Sequence, residues 1–171
     1  MFISTAGSSN PYHNTSHGAT NGQAGAIINN LFLPVCSTPP TIDLNGAQTG
    51  TDYERTYLPG SPAILITDSS LNDIQDLDDI QMQQMTILLT NPLDSSYESL
   101  SMGLDSSTLA GMGLSAYTST DKHQLTLNGD AMLTDYLTAL GNTQYKNEAP
   151  NVTRINRTIE ITVDDRGAIS N

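Results

Sequence analysis

The chain contains no tryptophan and only two phenylalanines among its 171 residues. A hydrophobic core must therefore be built from Ile, Leu, Val, Met and a few Tyr side chains, while Ser, Thr, Asn and Gly are abundant. This balance is typical of a β-rich fold with many turns. No stretch approaches the roughly 18 consecutive apolar residues of a membrane-spanning helix. We therefore expect no direct membrane insertion.

Positive charge is scarce, with six basic residues against eighteen acidic ones and a net charge of −12. Such a chain repels the phosphates of nucleic acids and of anionic lipids, so we expect no nucleic-acid partner. Three His and one Cys supply few ligands for a soft metal, whereas Asp, Asn, Ser and Thr oxygens suit calcium. Cys36 has no internal disulfide partner, so an external partner and an unpaired thiol both fit.

Two prolines divide the chain. Residues 1–38 are rich in Ser, Asn, Gly, Thr and Ala, with one apolar burst over 27–35 that we interpret as a strand after a flexible segment. Pro39 and Pro40 prevent both helix continuation and ladder hydrogen bonding, so they mark a boundary. We predict one domain over residues 39–171.

Apolar periodicity predicts several strands in that domain. Residues 158–163 alternate apolar and polar side chains, as a half-buried strand does, and residues 124–127 repeat the pattern. Residues 63–67 and 85–90 are more continuously apolar, which is typical of central strands.

One helix is predicted among these strands. Apolar residues recur at helical spacing over residues 132–140, with Asp130 as the N-cap and Gly141 after the last turn. Turn dipeptides such as Asn45-Gly46 and Asn128-Gly129 separate the apolar runs. Together these signals predict an all-β fold, a Greek-key β-sandwich with one short inserted helix.

Four stretches, in this order, carry a resemblance to a known family: PPTIDLNG (39–46), MTILLTNPLDSSYESL (85–100), QLTLNGDAMLTDYLTAL (124–140) and RTIEITVDDRGAISN (157–171). Over residues 39–171 the chain resembles the cadherin-like, immunoglobulin-like tandem repeats of large cell-surface and adhesin-type proteins. The resemblance implies a non-enzymatic, extracellular structural or adhesion module whose partners are neighbouring repeats of the same chain and, beyond them, a cell-surface protein or a glycan. In such repeats a further strand follows the Asp164–Asp165 pair, so the repeat is expected to lack its last strand. Residues 25–36 would then end a preceding repeat.

Calcium is the expected cofactor, and its ligands are expected among the aspartates. The densest acidic patch consists of Asp68, Asp73, Asp76, Asp78 and Asp79, between two predicted strands. The resemblance implies calcium at the junctions between repeats, which adds Asp43 at the start of the domain and Asp164 and Asp165 at its end. The predicted metal ligands are Asp43, Asp76, Asp78, Asp79, Asp164 and Asp165. The alternative is that these carboxylates are solvated and keep the sheets soluble.

No catalytic motif stands out, so we do not expect an enzyme. His13, His17 and His123 lie in no recognisable nucleophile or metal pattern, and no phosphate loop or nucleophile elbow occurs. Asn14, Asn151 and Asn156 begin Asn-x-Ser/Thr sequons, which matter only for glycosylation in a secretory host.

Two alternative functions stay open. A carbohydrate-binding module usually presents an aromatic surface, for which the domain offers Tyr53, Tyr57, Tyr97, Tyr117, Tyr136 and Tyr145. An accessory domain of a secreted hydrolase is the other alternative, because sandwich modules are reused in that role.

Overall fold

The computed structural model describes residues 38–165, which form nine β-strands, two α-helices and one 3₁₀ turn. The chain divides into two units, Met1–Cys36 and Ser37–Asn171, and the described residues belong to the second. Several predictions lie outside the described residues: the N-terminal segment with its strand over 27–35, Asn14, His13, His17, Cys36, and the stretch after Asp165.

In chain order the elements are β1 (Thr41–Asp43), β2 (Ile64–Leu65), β3 (Asp73–Gln75), β4 (Gln81–Leu89), the 3₁₀ turn (Ser95–Tyr97), β5 (Glu98–Met102), α1 (Ser106–Gly111), β6 (Ser115–Thr118), β7 (Gln124–Met132), α2 (Leu133–Leu140), β8 (Thr143–Asn147) and β9 (Ile159–Asp164). The strands form a four-stranded sheet in the order β6-β7-β4-β9, a three-stranded sheet β2-β8-β5, and the pair β1-β3. Every pairing among residues 38–165 is antiparallel. The prediction of an all-β fold is confirmed.

The periodic strands fold where the sequence predicts them. The alternating run before Asp164 forms β9, and the shorter one forms the start of β7. The apolar run over 85–90 lies in β4, which is central because it pairs with both β7 and β9. The run over 63–67 does not form a central strand. Only Ile64 and Leu65 pair, and they form β2, an edge strand of the smaller sheet that lies beside β8.

The helical prediction is partly wrong, because the domain has two α-helices rather than one. Asp130 does not cap α2, since β7 continues to Met132, which pairs with Gln81 and occupies the N-cap position itself. Gly141 does follow the last turn, as predicted. The unpredicted helix α1 spans only six residues, and the side chain of Asp105 caps it by accepting the N–H of Thr108 at 2.8 Å.

A β-bulge interrupts the β4–β7 ladder. Met82 pairs with Ala131 and Gln84 with Asn128, so Gly129 and Asp130 together oppose one residue, Gln83. Gly129 has a φ of +147°, and a Cβ there would lie 2.0 Å from the carbonyl oxygen of Gly113. Only glycine fits at this position. The buried Tyr136 of α2 secures the bulge from the core side by donating its hydroxyl to the Gly129 carbonyl at 2.7 Å.

One hydrophobic core joins both larger sheets and both helices. Its fully buried members include Met85, Ile87, Leu100, Leu125, Leu127, Tyr136, Leu140 and Val163. The antiparallel registers also define two ends of the domain. At one, which we call the acidic end, β4 begins while β7 and β9 finish. At the opposite end β4 finishes and β9 begins.

Candidate functional site at the acidic end

Residues 76–79 form a loop between β3 and β4, folded by its own carboxylates. Asp76 Oδ1 accepts the backbone N–H groups of Asp78 at 3.1 Å and Asp79 at 3.3 Å. Asp79 Oδ1 in turn accepts those of Ile80 at 2.8 Å and Gln81 at 3.0 Å, where β4 starts. These short-range bonds are the Asx turns that aspartate favours, so the loop is held in shape from within.

The chain enters and leaves the described domain beside this loop. The backbone N–H of Thr38 donates to both carboxylate oxygens of Asp78, at 3.0 and 3.2 Å. The carboxyl groups of Asp78 and Asp165 lie close enough to that of Asp76 to raise its pKa. Asp165 follows β9 and is only 3% exposed. Three of the predicted ligands, Asp76, Asp78 and Asp165, therefore meet at the acidic end.

Bringing the carboxyl groups of Asp76, Asp78 and Asp165 together is electrostatically unfavourable when all of them are ionised. Asp76 Oδ2 is buried and accepts no hydrogen bond. Burial raises the pKa of Asp76, and contact with the neighbouring carboxyls raises it further, against the lowering effect of the two N–H donors on Oδ1. Carboxyl groups in such contact need a proton or a cation between them.

Calcium meets that need, because it binds clustered carboxylate oxygens and fills its shell with carbonyls, amides and water. Within residues 38–165, however, no group of three or more His, Cys, Asp or Glu side chains has an arrangement that could hold a metal ion.

The remaining predicted ligands lie elsewhere. Asp43 Oδ1 closes a turn by accepting the N–H groups of Asn45 at 2.9 Å and Gly46 at 3.0 Å, and Asp43 faces Asp73 across the β1–β3 pair. Asp79 is bonded to its own segment, as described above. Asp164 lies on β9 opposite Gln84. Because successive residues of a strand point to opposite faces, Asp164 and Asp165 do not share a site.

The opposite end of the domain holds a second polar cluster, the Arg157 cluster, formed by Asp94, Glu98, Asn147, Thr153 and Arg157. Arg157 donates through Nε to Glu98 at 2.5 Å and through a terminal nitrogen to Asp94 at 2.8 Å. Asn147 donates to Asp94 at 2.7 Å and to Glu98 at 3.1 Å. The Thr153 hydroxyl donates to Asp94 at 2.6 Å. The cluster ties β5 and β8 of one sheet to the segment that leads into β9 of the other.

Because the Arg157 cluster is buried, the stability of the domain should depend strongly on its ion pairs. The Glu98 side chain is 0% exposed and that of Arg157 only 11%. The Thr153 and Asn147 hydrogen bonds, together with the nearby Arg157 charge, lower the pKa of Asp94. Tyr145 packs beside the cluster, and burial followed by the Glu98 charge raises its pKa to about 12. The hydrogen bonds and the Arg157 charge thus favour the ionised form of Asp94, as in a structural ion-pair network.

No short sequence motif predicts this cluster. Its ion pairs join residues 59 and 63 positions apart, so no short motif contains them. The available signal is an arginine placed just before an apolar strand in a chain with only six basic residues. Asp94, Glu98 and Arg157 also fall inside two of the stretches that carry the family resemblance.

The other sequence candidates in the described residues have structural contacts or lie in loops. His123 Nε2 lies 2.9 Å from the carbonyl oxygen of Ser95, and its Nδ1 lies 3.5 Å from Asp121. These contacts join the 3₁₀ turn to the β6–β7 turn. Asn151 and Asn156 are exposed in the segment between β8 and β9.

Comparisons with protein-family models, with curated proteins and with solved structures find no match to the chain. Among the described residues, neither α-helix has the length and apolar character needed to cross a membrane.

Proposed function

We propose that the chain is a non-enzymatic, extracellular structural or adhesion module of a large repeat-containing surface protein, with the Greek-key sandwich of the cadherin-like and immunoglobulin-like repeats. Calcium stabilises the module at its acidic end. The observation that supports this proposal most directly is the meeting of Thr38, the 76–79 loop and Asp165 at the acidic end. A preceding repeat would join the module beside this loop.

The Arg157 cluster supports a structural role. Asp94 and Glu98 lie beside the buried guanidinium of Arg157, and Arg157 and Asn147 occupy both carboxyl groups with hydrogen bonds. Carboxylates bound in this way position a fold rather than exchange protons with a substrate. Their contacts lock the two larger sheets together, which suits a module that transmits load.

The proposed repeat has a further strand after β9, and the register of β9 shows where that strand would run. β9 ends at the acidic end, where Asp164 pairs with Gln84. A strand running antiparallel beside β9 would return the chain to the end that holds the Arg157 cluster. This is the strand that the family resemblance predicts after the Asp164–Asp165 pair.

The calcium part of the proposal is tested by thermal unfolding of the 171-residue chain in calcium and in chelator. Extracellular calcium modules have Kd values of about 10⁻⁴–10⁻³ M. A concentration of about 10 mM would then stabilise the folded state by about 1.4–2.7 kcal/mol. An unchanged Tm would contradict calcium binding.

The substitution Asp76→Asn separates calcium binding from a general salt effect. Because the pKa of Asp76 is raised in the folded state, its stabilising contribution is present below pH about 4 and is lost as the pH rises through the raised pKa. Asparagine mimics the protonated form, so at pH 7 in chelator D76N should melt above the wild type. It should also lose the calcium response. D52N is the matched control, since Asp52 is exposed, and it should keep that response.

Two copies of the chain joined in tandem test the spacer role. If calcium stiffens the junction, small-angle scattering gives a longer maximum dimension in calcium than in chelator. An equal dimension in both would exclude a calcium-stiffened spacer even if each module binds calcium.

A further inference from the structure

The outer face of the four-stranded sheet carries an uncharged polar row. Tyr117 on β6, Thr126 on β7, Thr86 on β4 and Thr162 on β9 are direct partners across the four strands. Directly opposed residues of antiparallel strands project to the same face, so these four side chains form a line across the sheet. At about 4.8 Å per strand the row spans about 14 Å.

Amide side chains and two concavities adjoin the row. Gln84 donates through Nε2 to Asn128 Oδ1 at 2.7 Å, which fixes both amides on this face. The larger concavity has a volume of about 440 Å³ and lies at the β-bulge, lined by Gln83, Gln84, Asn128, Gly129, Asp130 and Asp164. A smaller one of about 70 Å³ shares Gln84 and also contacts Thr86 and Thr162. The bulge thus produces a notched surface instead of a flat one.

Tyr117 provides an aromatic surface at the end of the row. Its side chain is 63% exposed, whereas Tyr136 and Tyr145 are buried in the core. Tyr57 packs edge-on against Tyr145, with ring centroids 5.4 Å apart. Tyr97 is also exposed, at 51%, but it lies in the 3₁₀ turn beside the Arg157 cluster. Tyr117 is therefore the exposed tyrosine on the notched face.

We propose that this face binds a neutral oligosaccharide. The Tyr117 ring packs against the apolar side of one sugar ring, since tyrosine combines an apolar body with a polar tip. Thr86, Thr126 and the Gln84–Asn128 pair exchange hydrogen bonds with sugar hydroxyls, because hydroxyl and amide groups both donate and accept. This is the usual composition of a specific small-ligand surface, a packing group with a few placed polar groups.

Charge selects the class of saccharide. The row itself contains no Asp, Glu, Lys or Arg side chain, but three acidic residues adjoin it. Asp130 and Asp164 line the larger concavity, and Glu160 is exposed on β9. With a net charge of −12 on the chain, sialylated or sulfated sugars are repelled. The expected ligand is thus uncharged. This binding function is separate from calcium stabilisation, so either can fail without the other.

The first experiment presents the fluorescently labelled 171-residue chain to an array of neutral, sialylated and sulfated glycans, in calcium and in chelator. We expect binding to a subset of neutral glycans in both buffers. The strongest neutral oligosaccharide is then titrated into the wild type and variants by isothermal calorimetry. Y117A should weaken binding by about threefold to tenfold, the equivalent of a lost aromatic contact. Y117F should bind like the wild type.

Y97A is the matched control, because it removes an exposed tyrosine that lies in the 3₁₀ turn and not on the notched face. It should bind with wild-type affinity. Unchanged melting temperatures of Y117A and Y97A would show that both variants fold, as expected for exposed positions. The proposal is overturned if no neutral glycan on the array binds, if acidic glycans bind instead, or if Y97A weakens binding as much as Y117A does.

Discussion

Removal of the Arg157 guanidinium should be among the most damaging single changes to this domain. In Arg157→Met, an apolar side chain of similar length replaces the cation, so the packing along the stem is preserved. Glu98 then remains 0% exposed, without its cationic partner and with Asn147 as its remaining hydrogen-bond donor. Asp94 loses the same cation but keeps its bonds to Asn147 and Thr153.

The size of the effect follows from the buried charge that is left behind. Breaking a buried ion pair from one side destabilises a protein by about 3–5 kcal/mol, because the remaining ion is uncompensated. A domain of this size has a total stability of about 5–15 kcal/mol. The melting temperature should therefore fall by about 10–20 °C.

Urea unfolding at pH 7, followed by circular dichroism, measures this loss. The midpoint should fall while the slope with urea stays the same, which shows that stability rather than compactness has changed. The double variant Arg157→Met/Glu98→Gln should recover part of the loss, because glutamine removes the unpaired buried charge. Arg154→Met is the matched control, three residues away on an exposed side chain, and should change stability by less than about 0.5 kcal/mol.

A loss below about 1 kcal/mol for Arg157→Met would refute the reasoning, since it would equal the value of an exposed pair. So would an equal loss in Arg154→Met, which would attribute the effect to the segment rather than to the cluster.

Other predictions concern the bulge and the acid limb of stability. Gly129→Ala should destabilise the domain by about 2 kcal/mol or more in urea unfolding, because Gly129 has a φ of +147° and its new Cβ would lie 2.0 Å from a carbonyl oxygen. Gly111→Ala is the control and should be neutral or stabilising, because no atom lies near the new Cβ. Equal losses in the two variants would contradict this prediction. Tyr136→Phe should lose about 1 kcal/mol by the same assay, since the Gly129 carbonyl loses its 2.7 Å donor, and an unchanged midpoint would exclude that role. The pKa of Asp105 is lowered to about 2 by the Ser107 hydroxyl and the Thr108 N–H; its contribution is present above pH about 4 and is lost as the pH falls through about 2. Asp105→Asn should therefore lose less stability than the wild type over that interval of pH, and parallel acid curves would contradict it.

Local periodicity explains which elements the sequence predicted. β9 and the first half of β7 alternate apolar and polar residues, and β4 was predicted from its more continuous apolar run. The boundary between β7 and α2 was wrong because it depends on pairing with Gln81 and Met82, far away in the chain. Within Asp130–Met132 the helix and strand patterns both fit, and only the partner strand decides between them.

The candidate site was partly predictable for the same reason. The acidic loop stood out by its density of aspartate, but its meeting with Asp165 depends on where β9 ends. Strand alternation alone could have separated Asp164 from Asp165. No short sequence pattern predicts the Arg157 cluster or the uncharged polar row that includes Tyr117, because each is assembled from strands or loops that are distant in sequence. Antiparallel pairing brings them together, and the register was not predicted.

The meeting of Thr38 and Asp165 at one end has a mechanical consequence. Tension applied through these two residues would act first on the Asp164–Gln84 pair, the last pair of the β9–β4 ladder. The strand would then peel away one pair at a time, so that few hydrogen bonds resist the force together. A further strand beside β9 would move the point of traction to the opposite end and load the ladder lengthwise, with many bonds sharing the force. That single strand would thus decide whether force breaks the β9–β4 hydrogen bonds one pair at a time or loads them together.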